Sequence, residues 1–258
     1  MILPILEVIK LSLQVAVSRR KVNRVPLTEY VESLLGKVVV IYGNPGTGKS
    51  TFIARLAKIL KQHYGKPAKL FWADLMLAKD NGIGPWLRRI SQADTEVIRW
   101  PWELEYKLRH LNARDYSLVA IDSVSGLYEA IEGSVTGPRI ALEMKRWASK
   151  YARMLLEKIV YGDLKLAILV HHESALFGGD FYGEPVKPNI SLQILKNVDV
   201  VLRTYVETKE TKEGTLRYYY IKYVMYRALP TQKNYENYKL LQDDFLGEKF
   251  ENLKNIES

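Results

Sequence analysis

The chain alternates short apolar runs with longer segments in which apolar residues recur every three or four positions. The apolar runs predict buried strands, and the recurring pattern predicts helices with one apolar side. The predicted strands are KVVVIYG, AKLFWAD, TEVIRW, YSLVAID and LKLAILVH. The predicted helices cover residues 49–64, 83–92, 102–113 and 139–160. Strands that alternate with helices favour βαβ units, so we expect an α/β fold with a mostly parallel central sheet flanked by helices.

The pattern changes towards the C-terminus. Residues 198–227 predict two long strands around the turn KETKEG, which form an antiparallel hairpin on the edge of the sheet. Residues 231–258 are polar and predict a helical tail. The chain contains no internal repeat, so we expect one core domain, residues 34–230, with an appendage at each end.

The N-terminal appendage, residues 1–33, predicts an amphipathic helix followed by a basic linker. Ile5, Ile9 and Leu13 share one helical face, and polar residues occupy the other. Basic residues follow the apolar run, whereas they would precede it in a signal peptide. The run is also too short and too polar for a membrane span. We expect a cytoplasmic protein without membrane contact, whose first helix packs on its own domain or on a neighbouring subunit or partner.

Composition and charge narrow the candidate chemistry. The chain of 258 residues has no cysteine, which excludes disulfides and cysteine-ligated metals and favours a reducing compartment. Its net charge is +9, which favours polyanionic partners, nucleic acid above all. A basic surface that serves only solubility explains the same charge, so both interpretations stay open.

The segment GNPGTGKS matches the phosphate-binding pattern G-x-x-x-x-G-K-[ST]. A predicted strand precedes it and a predicted helix follows it, which is the context that this loop requires. Glycines let backbone N–H groups turn towards phosphates, and the helix dipole adds to the attraction. We expect Lys49 to reach the β- and γ-phosphates of ATP and the Ser50 hydroxyl to bind Mg²⁺. The predicted nucleotide-binding residues are Gly43, Asn44, Pro45, Gly46, Thr47, Gly48, Lys49, Ser50 and Thr51.

A second acidic group is expected to hold Mg²⁺ through water. Asp122 ends the apolar run SLVAID, and carboxyl ends of parallel strands are where α/β sheets bind ligands. The alternative is an aspartate that caps the next element. The end of a buried strand favours the metal role.

These motifs resemble the RecA/RadA recombinase core, including archaeal RadB-type paralogues and KaiC-like ATPases. The resemblance covers residues 34–230. It rests on LLGKVVVIYGNPGTGKST, on LVAIDSVSGLY, on LAILVHH with the loop after it, and on the final segment YYYIKYVMYRALP. Serine after the aspartate differs from the glutamate that AAA+ proteins and other helicases usually have there. The resemblance implies a RecA-like P-loop NTPase fold with a terminal hairpin.

The resemblance also implies catalytic residues, and each departs from the family pattern. Asp74 stands where the family has a glutamate that activates water, and an aspartate that only starts the next loop is the alternative. His172 stands where an amide usually reads the γ-phosphate, next to His171. The alternative is that one of the two histidines packs inward and the other is merely exposed. Arg227, in Met-Tyr-Arg instead of Lys-x-Arg, is the remaining candidate for a finger that reaches a neighbour's nucleotide, with Lys222 as a substitute.

In the family, two loops carry DNA, and they correspond to residues 129–139 and 173–189. Aromatic residues in the second loop suit stacking on single-stranded DNA, whereas its acidic residues suit a lid or a protein-binding loop. Four tryptophans lie between the second strand and the next helices. We expect them to fill the gap between helices and sheet, and stacking of one of them on the nucleotide base is the alternative. They are Trp72, Trp86, Trp100 and Trp102.

Three functions remain open. The first is a slowly hydrolysing RecA/RadB-like ATPase that acts on or near DNA as an accessory factor in recombination or repair. The second is a KaiC-like nucleotide-gated interaction module without a DNA role, and the third is a DNA motor of a mobile element. The shortened base predicts slow or partner-stimulated turnover in the first.

Overall fold

The computed structural model describes residues 27–80, 82–132, 139–172, 196–211, 214–226 and 238–239. Within them the helices are α1 Leu27–Leu34, α2 Lys49–Tyr64, α3 Leu75–Ala78, α4 Ile83–Ser91, α5 Pro101–His110, α6 Val124–Glu132 and α7 Arg139–Gly162. The strands are β1 Lys37–Gly43, β2 Ala68–Trp72, β3 Asp94–Val97, β4 Leu118–Asp122, β5 Leu166–His172, β6 Val200–Thr211, β7 Gly214–Tyr226 and β8 Tyr238–Lys239. A 3₁₀ turn, Ala113–Asp115, precedes β4.

The strands form an eight-stranded sheet in the order β3-β2-β4-β5-β1-β6-β7-β8. The pairs from β3 through β6 are parallel, and β7 and β8 join in antiparallel fashion. The expected mostly parallel sheet with a C-terminal antiparallel hairpin is therefore confirmed. The register places Trp72 beside Asp122 and Gly43 beside His172. The carboxyl ends of β1, β2, β4 and β5 thus meet on one edge of the sheet.

Both faces of the sheet are covered, which explains why its strands are continuously apolar. In β1, Val39 and Ile41 pack in one cluster with Phe52 of α2. Val38 and Val40 face the other way and pack with Tyr151 of α7. Because successive side chains of a strand point to opposite faces, a strand between two helical layers must be apolar at every position.

The main helices follow from local signals. Helix α2 begins after Gly48 and ends at Gly65, and both glycines have left-handed backbone conformations. The Gly65 N–H donates to the Lys61 carbonyl, which is the usual glycine-terminated helix end. Helix α5 begins with Pro101, whose missing N–H costs nothing in the first turn.

Two features of the structure differ from the expectations, and a third expectation is not tested. The short helices α3 and α6 were not predicted, and α6 extends to Glu132, so the first residues of the supposed loop 129–139 are helical. In the tail 231–258 the described residues, Tyr238 and Lys239, form strand β8 beside Tyr220 and Ile221 rather than a helix. The predicted N-terminal helix lies outside the described residues, and α1 occupies the end of the segment 1–33.

In the part of the chain that the structure describes, no helix combines the length and the apolar character needed to cross a membrane.

Candidate nucleotide-binding site

The loop between β1 and α2 packs closely against the neighbouring strand β6. A Cβ atom on Gly43 would lie 2.3 Å from the Thr204 carbonyl oxygen, so only glycine fits there without displacing backbone. Gly46 has φ +78° and a Cβ there would meet nothing within 4 Å, so it is required for its conformation alone. The loop therefore has one tightly packed end and one open turn.

The side chain of Lys49 crosses this loop. Its ammonium group donates to the carbonyl oxygens of Gly43 and Asn44, each at 2.8 Å, and the residue is only 6% exposed. Lys49, the residue predicted to bind phosphate, is thus hydrogen-bonded to the backbone of its own loop. Its positive charge also acts on Asp122 and His172, as their pKa values indicate.

A threonine of β6 supports the loop from behind, and the sequence analysis did not identify it. Thr204 Oγ1 lies 2.7 Å from Thr47 Oγ1 and 3.3 Å from the Tyr42 carbonyl oxygen, so its one proton is shared between these two acceptors. The Thr47 hydroxyl also donates to the Asn44 carbonyl at 2.8 Å. A polar residue at an inward position of an apolar strand was the available signal for Thr204.

Asp122 lies at the end of β4, where it was expected, and its carboxyl group is buried. Burial raises its pKa to about 6, while a hydrogen bond from the Ser50 hydroxyl and the charge of Lys49 oppose the rise, and Asp74 adds to it. The structure therefore brings together Ser50, Lys49 and Asp122, although β4 is far from the loop in sequence.

The oxygen donors of Ser50 and Asp122 suit Mg²⁺. Mg²⁺ prefers hard oxygen ligands, keeps several waters and is usually bound through one or two carboxylates with substrate phosphates. Among the described residues no group of three or more His, Asp or Glu could hold a metal ion by itself. A buried carboxyl group with a raised pKa also gains from a nearby cation.

Asp74 follows β2 and caps helix α3. Its Oδ1 atom accepts from the Met76 N–H at 2.8 Å, so the interpretation that it starts the next element is confirmed as part of its role. Its charge still acts on both Asp122 and His172. The backbone N–H groups of Ala73 and Asp74 donate to the Asp122 carbonyl, which fixes the distance between the two strand ends.

The two adjacent histidines have different environments. His171 is fully buried against the ring of Tyr128, and burial lowers its pKa to about 3. His172 is half-buried, and burial together with Lys49 lowers its pKa, while Glu129 and Asp74 oppose the shift. The backbone N–H of His172 donates to Ser125 Oγ at 2.8 Å, so α6 helps to position this residue. His172 is thus the histidine that faces the other site residues.

The structure describes only part of the remaining candidate site residues. Arg227 and the loop 173–189 lie outside the described residues. Lys222 lies opposite Arg203 in the backbone register of the hairpin.

The expectation that all four tryptophans fill the interior is wrong for two of them. Trp72 is buried with the Arg88 guanidinium 4.9 Å from its ring, and Trp86 packs against the core. Trp100 and Trp102 are 37% and 57% exposed, and they stack on each other with ring centroids 5.0 Å apart. Trp100 is the N-cap residue of α5 and Trp102 lies in its first turn.

No protein-family model and no curated protein matches the chain. Among solved structures it is similar to a KaiC-like protein from the hyperthermophilic archaeon Pyrococcus horikoshii, with a TM-score of 0.51 and 16% sequence identity. The match covers 85% of this chain and 99% of that protein. At this identity the likeness shows the fold, and it does not single out the RadB-type branch. The chain therefore has the RecA-like α/β fold that the phosphate-loop motif and the strand pattern predict.

Proposed function

We propose that the chain is a P-loop ATPase that binds ATP with Mg²⁺ at the carboxyl edge of its sheet. The observation that carries this proposal is the meeting of Lys49, Ser50 and Asp122 at one point, with Asp122 buried and its pKa raised. Carboxyl groups whose pKa is shifted by burial and by a nearby charge cluster at functional sites, which supports a metal role for Asp122.

Each residue takes a distinct part in this proposal. Lys49 moves from the carbonyl groups of its own loop to phosphate oxygens, and Ser50 and Asp122 hold the metal. Bound Mg²⁺ would supply positive charge that neutralises the phosphates during transfer. The backbone N–H groups of loop residues 43–51, which Pro45 alone lacks, would donate to the phosphates, and the loop would exclude water from them.

Asp74 would orient the attacking water with the oxygen that does not cap α3. Aspartate is one methylene shorter than glutamate, and Asp74 Oδ1 already accepts from the Met76 N–H, so the carboxylate reaches less far towards a water. We propose slow turnover for that reason. His172, neutral at physiological pH because its pKa is lowered, would donate a hydrogen bond to the γ-phosphate. Arg227 would complete the site of a neighbouring subunit.

The test is ATP turnover by the wild type and by Lys49→Ala, each with and without single-stranded DNA. We expect slow turnover in the wild type that is lost in Lys49→Ala, since the lysine is the central phosphate contact. Arg89→Ala, at an exposed position on α4, is the matched control and should keep wild-type turnover. Equal turnover in the wild type and Lys49→Ala would overturn the proposal.

Different observations support two alternative biological roles for this ATPase. The net charge of +9 supports an accessory factor that works on or near DNA in recombination or repair. The likeness to a KaiC-like protein supports a nucleotide-gated regulator in the cytoplasm that changes partners with its nucleotide. Turnover stimulated by single-stranded DNA, with affinity for DNA that rises with ATP, decides for the first. Tight ATP binding without DNA affinity at low salt decides for the second.

A further inference from the structure

Exposed aromatic side chains follow one face of helix α5. Trp102, Tyr106 and His110 are spaced four residues apart, so they are neighbours on the helix surface. Tyr106 is 61% exposed, and its ring centroid lies 4.2 Å from that of His110. Trp100, stacked on Trp102, extends the row at the start of the helix. We call these four residues the α5 aromatic row.

The α5 aromatic row runs along the helix from one edge of the sheet towards the opposite edge. It begins just after β3, at the carboxyl edge where the nucleotide site lies, and ends before β4, at the amino edge. Helix α5 has 10 residues, so the row is about 15 Å long. Large exposed aromatic surfaces are uncommon unless something binds them, and a row of this length is more than a scattered apolar residue.

The row ends at a groove that is rich in basic residues. The groove has a volume of about 820 Å³ and lies between the end of α5, the 3₁₀ turn and the second half of α7. His110 belongs to both the row and the groove. The basic residues that line the groove are Arg109, Arg114, Lys150, Arg153 and Lys158.

The acidic groups nearby do not cancel this charge. Glu105 is shared by Arg109 and Lys150, both of which keep more than a third of their side chains exposed. Arg153 pairs with Glu157 but is 73% exposed, and a pair of that kind contributes little and yields readily to a phosphate. The groove therefore presents a surplus of positive charge to solvent.

We propose that the α5 aromatic row and the basic groove together bind a single-stranded nucleic acid, with bases stacked on the row and phosphates held in the groove. Aromatic platforms beside a cationic track are the combination by which proteins bind single strands without sequence preference. Charge complementarity favours this occupant over an apolar protein surface. The site is separate from residues 129–139 and 173–189, to which the resemblance assigned DNA. It names a partner for the proposed function, but it does not depend on ATP.

The experiment measures binding of fluorescently labelled oligothymidylate and oligouridylate, about 15 nucleotides long, without nucleotide or Mg²⁺. We expect Trp102→Ala to weaken binding about fivefold to 150-fold, because stacking on one aromatic side chain contributes that much per base. Ile83→Ala, at a similarly exposed apolar position on α4, is the control and should bind as the wild type does. Binding of either oligonucleotide with this dependence supports the proposal, and the two arms show whether the strand is DNA or RNA.

A second pair of variants tests the groove. We expect Arg153→Gln to reduce the magnitude of the slope of log affinity against log salt concentration by about one, because one phosphate contact is lost. Arg89→Gln on α4 is the control and should leave this slope unchanged. Three results would overturn the proposal: no binding of either oligonucleotide, equal affinity in Trp102→Ala and Ile83→Ala, or a Trp102→Ala protein whose only change is a smaller assembly by sedimentation. The last would make the row an interface between copies. Because ATP is absent, none of these results bears on the ATPase.

Discussion

Thr204 on β6 and Thr47 in the phosphate loop face each other with 2.7 Å between their hydroxyl oxygens. The contact joins the C-terminal hairpin of the core to the loop that we propose binds ATP. Thr204 is 1% exposed and also bonds to the Tyr42 carbonyl at the end of β1. Strand β6 is thus part of the scaffold of the site as well as a neighbour in the sheet.

Replacing Thr204 by valine tests this support. Valine keeps the shape but removes the hydroxyl, which costs about 1 kcal/mol or more for the partner groups left behind. We expect ATP affinity to fall about fivefold, since 1.4 kcal/mol is tenfold. Titration calorimetry measures it, and Thr208→Val, exposed on the same strand, is the control. Unchanged ATP affinity in Thr204→Val would show that β6 does not support the loop.

The two ends of the loop should differ in their tolerance of a methyl group. Gly43→Ala places a Cβ atom 2.3 Å from a backbone oxygen, so the loop or β6 must move. Gly46→Ala meets no atom and pays only for its left-handed conformation, about 1–2 kcal/mol. Urea unfolding should show the larger loss in Gly43→Ala. A larger loss in Gly46→Ala would contradict the packing of β6 against the loop.

Asp74 combines a cap with a proposed catalytic carboxylate, and two variants separate these roles. Asn is as good a helix cap as Asp, so Asp74→Asn should keep stability while turnover falls about 100-fold or more. Asp74→Ala should lose the same turnover and about 1 kcal/mol of unfolding free energy. Paired turnover and urea measurements check both. Wild-type turnover in Asp74→Asn would remove Asp74 from the catalytic site.

His171 and Asp122 should act on stability in opposite directions below neutral pH. The pKa of His171 is lowered from 6.5 to about 3, so the unfolded chain binds a proton that the folded one excludes, and stability falls as pH falls through 6.5. The pKa of Asp122 is raised from 3.8 to about 6, so the folded chain holds a proton that the unfolded one releases, and stability rises as pH falls through 6.

Urea unfolding between pH 7 and pH 5 separates the two effects. In His171→Leu, the loss of stability at lower pH should disappear. In Asp122→Asn, that loss should no longer be offset. Each substitution should change the pH dependence of the unfolding free energy by up to about 1.4 kcal/mol per pH unit. Among the described residues neither ring nitrogen of His171 has a hydrogen-bond partner, so leucine should cost little at pH 7. The same pH slope in both variants and the wild type would contradict these environments.

Much of the fold could be predicted because its signals are local. The bounds of β1 and α2 agree with the prediction, since an apolar run, a glycine loop and Gly65 mark them in sequence. Helices α3 and α6 were missed because they are short, with four and nine residues, and follow directly on strand ends. Strand β8 has two residues, and its pairing with β7 depends on contacts that no local pattern encodes.

The residues of the site likewise divide into those that the sequence predicts and those that it does not. Lys49 and Ser50 belong to one motif, and Asp122 could be placed because strand ends of a parallel sheet meet at one edge. Thr204 could not be placed, since its contact with Thr47 depends on β6 lying beside β1. The exposure of Trp100 and Trp102 likewise depends on how far the helical layer extends, which composition does not reveal.

The most direct test of the proposed ATPase is calorimetric titration of ATP into the wild type, Lys49→Ala and Asp122→Asn, with Mg²⁺ and with a chelator. We expect the wild type to bind ATP more tightly with Mg²⁺, Asp122→Asn to lose that gain, and Lys49→Ala to lose at least about tenfold in affinity under both conditions. Binding to Lys49→Ala that equals the wild type, or a Mg²⁺ effect that survives in Asp122→Asn, would contradict the account of this site.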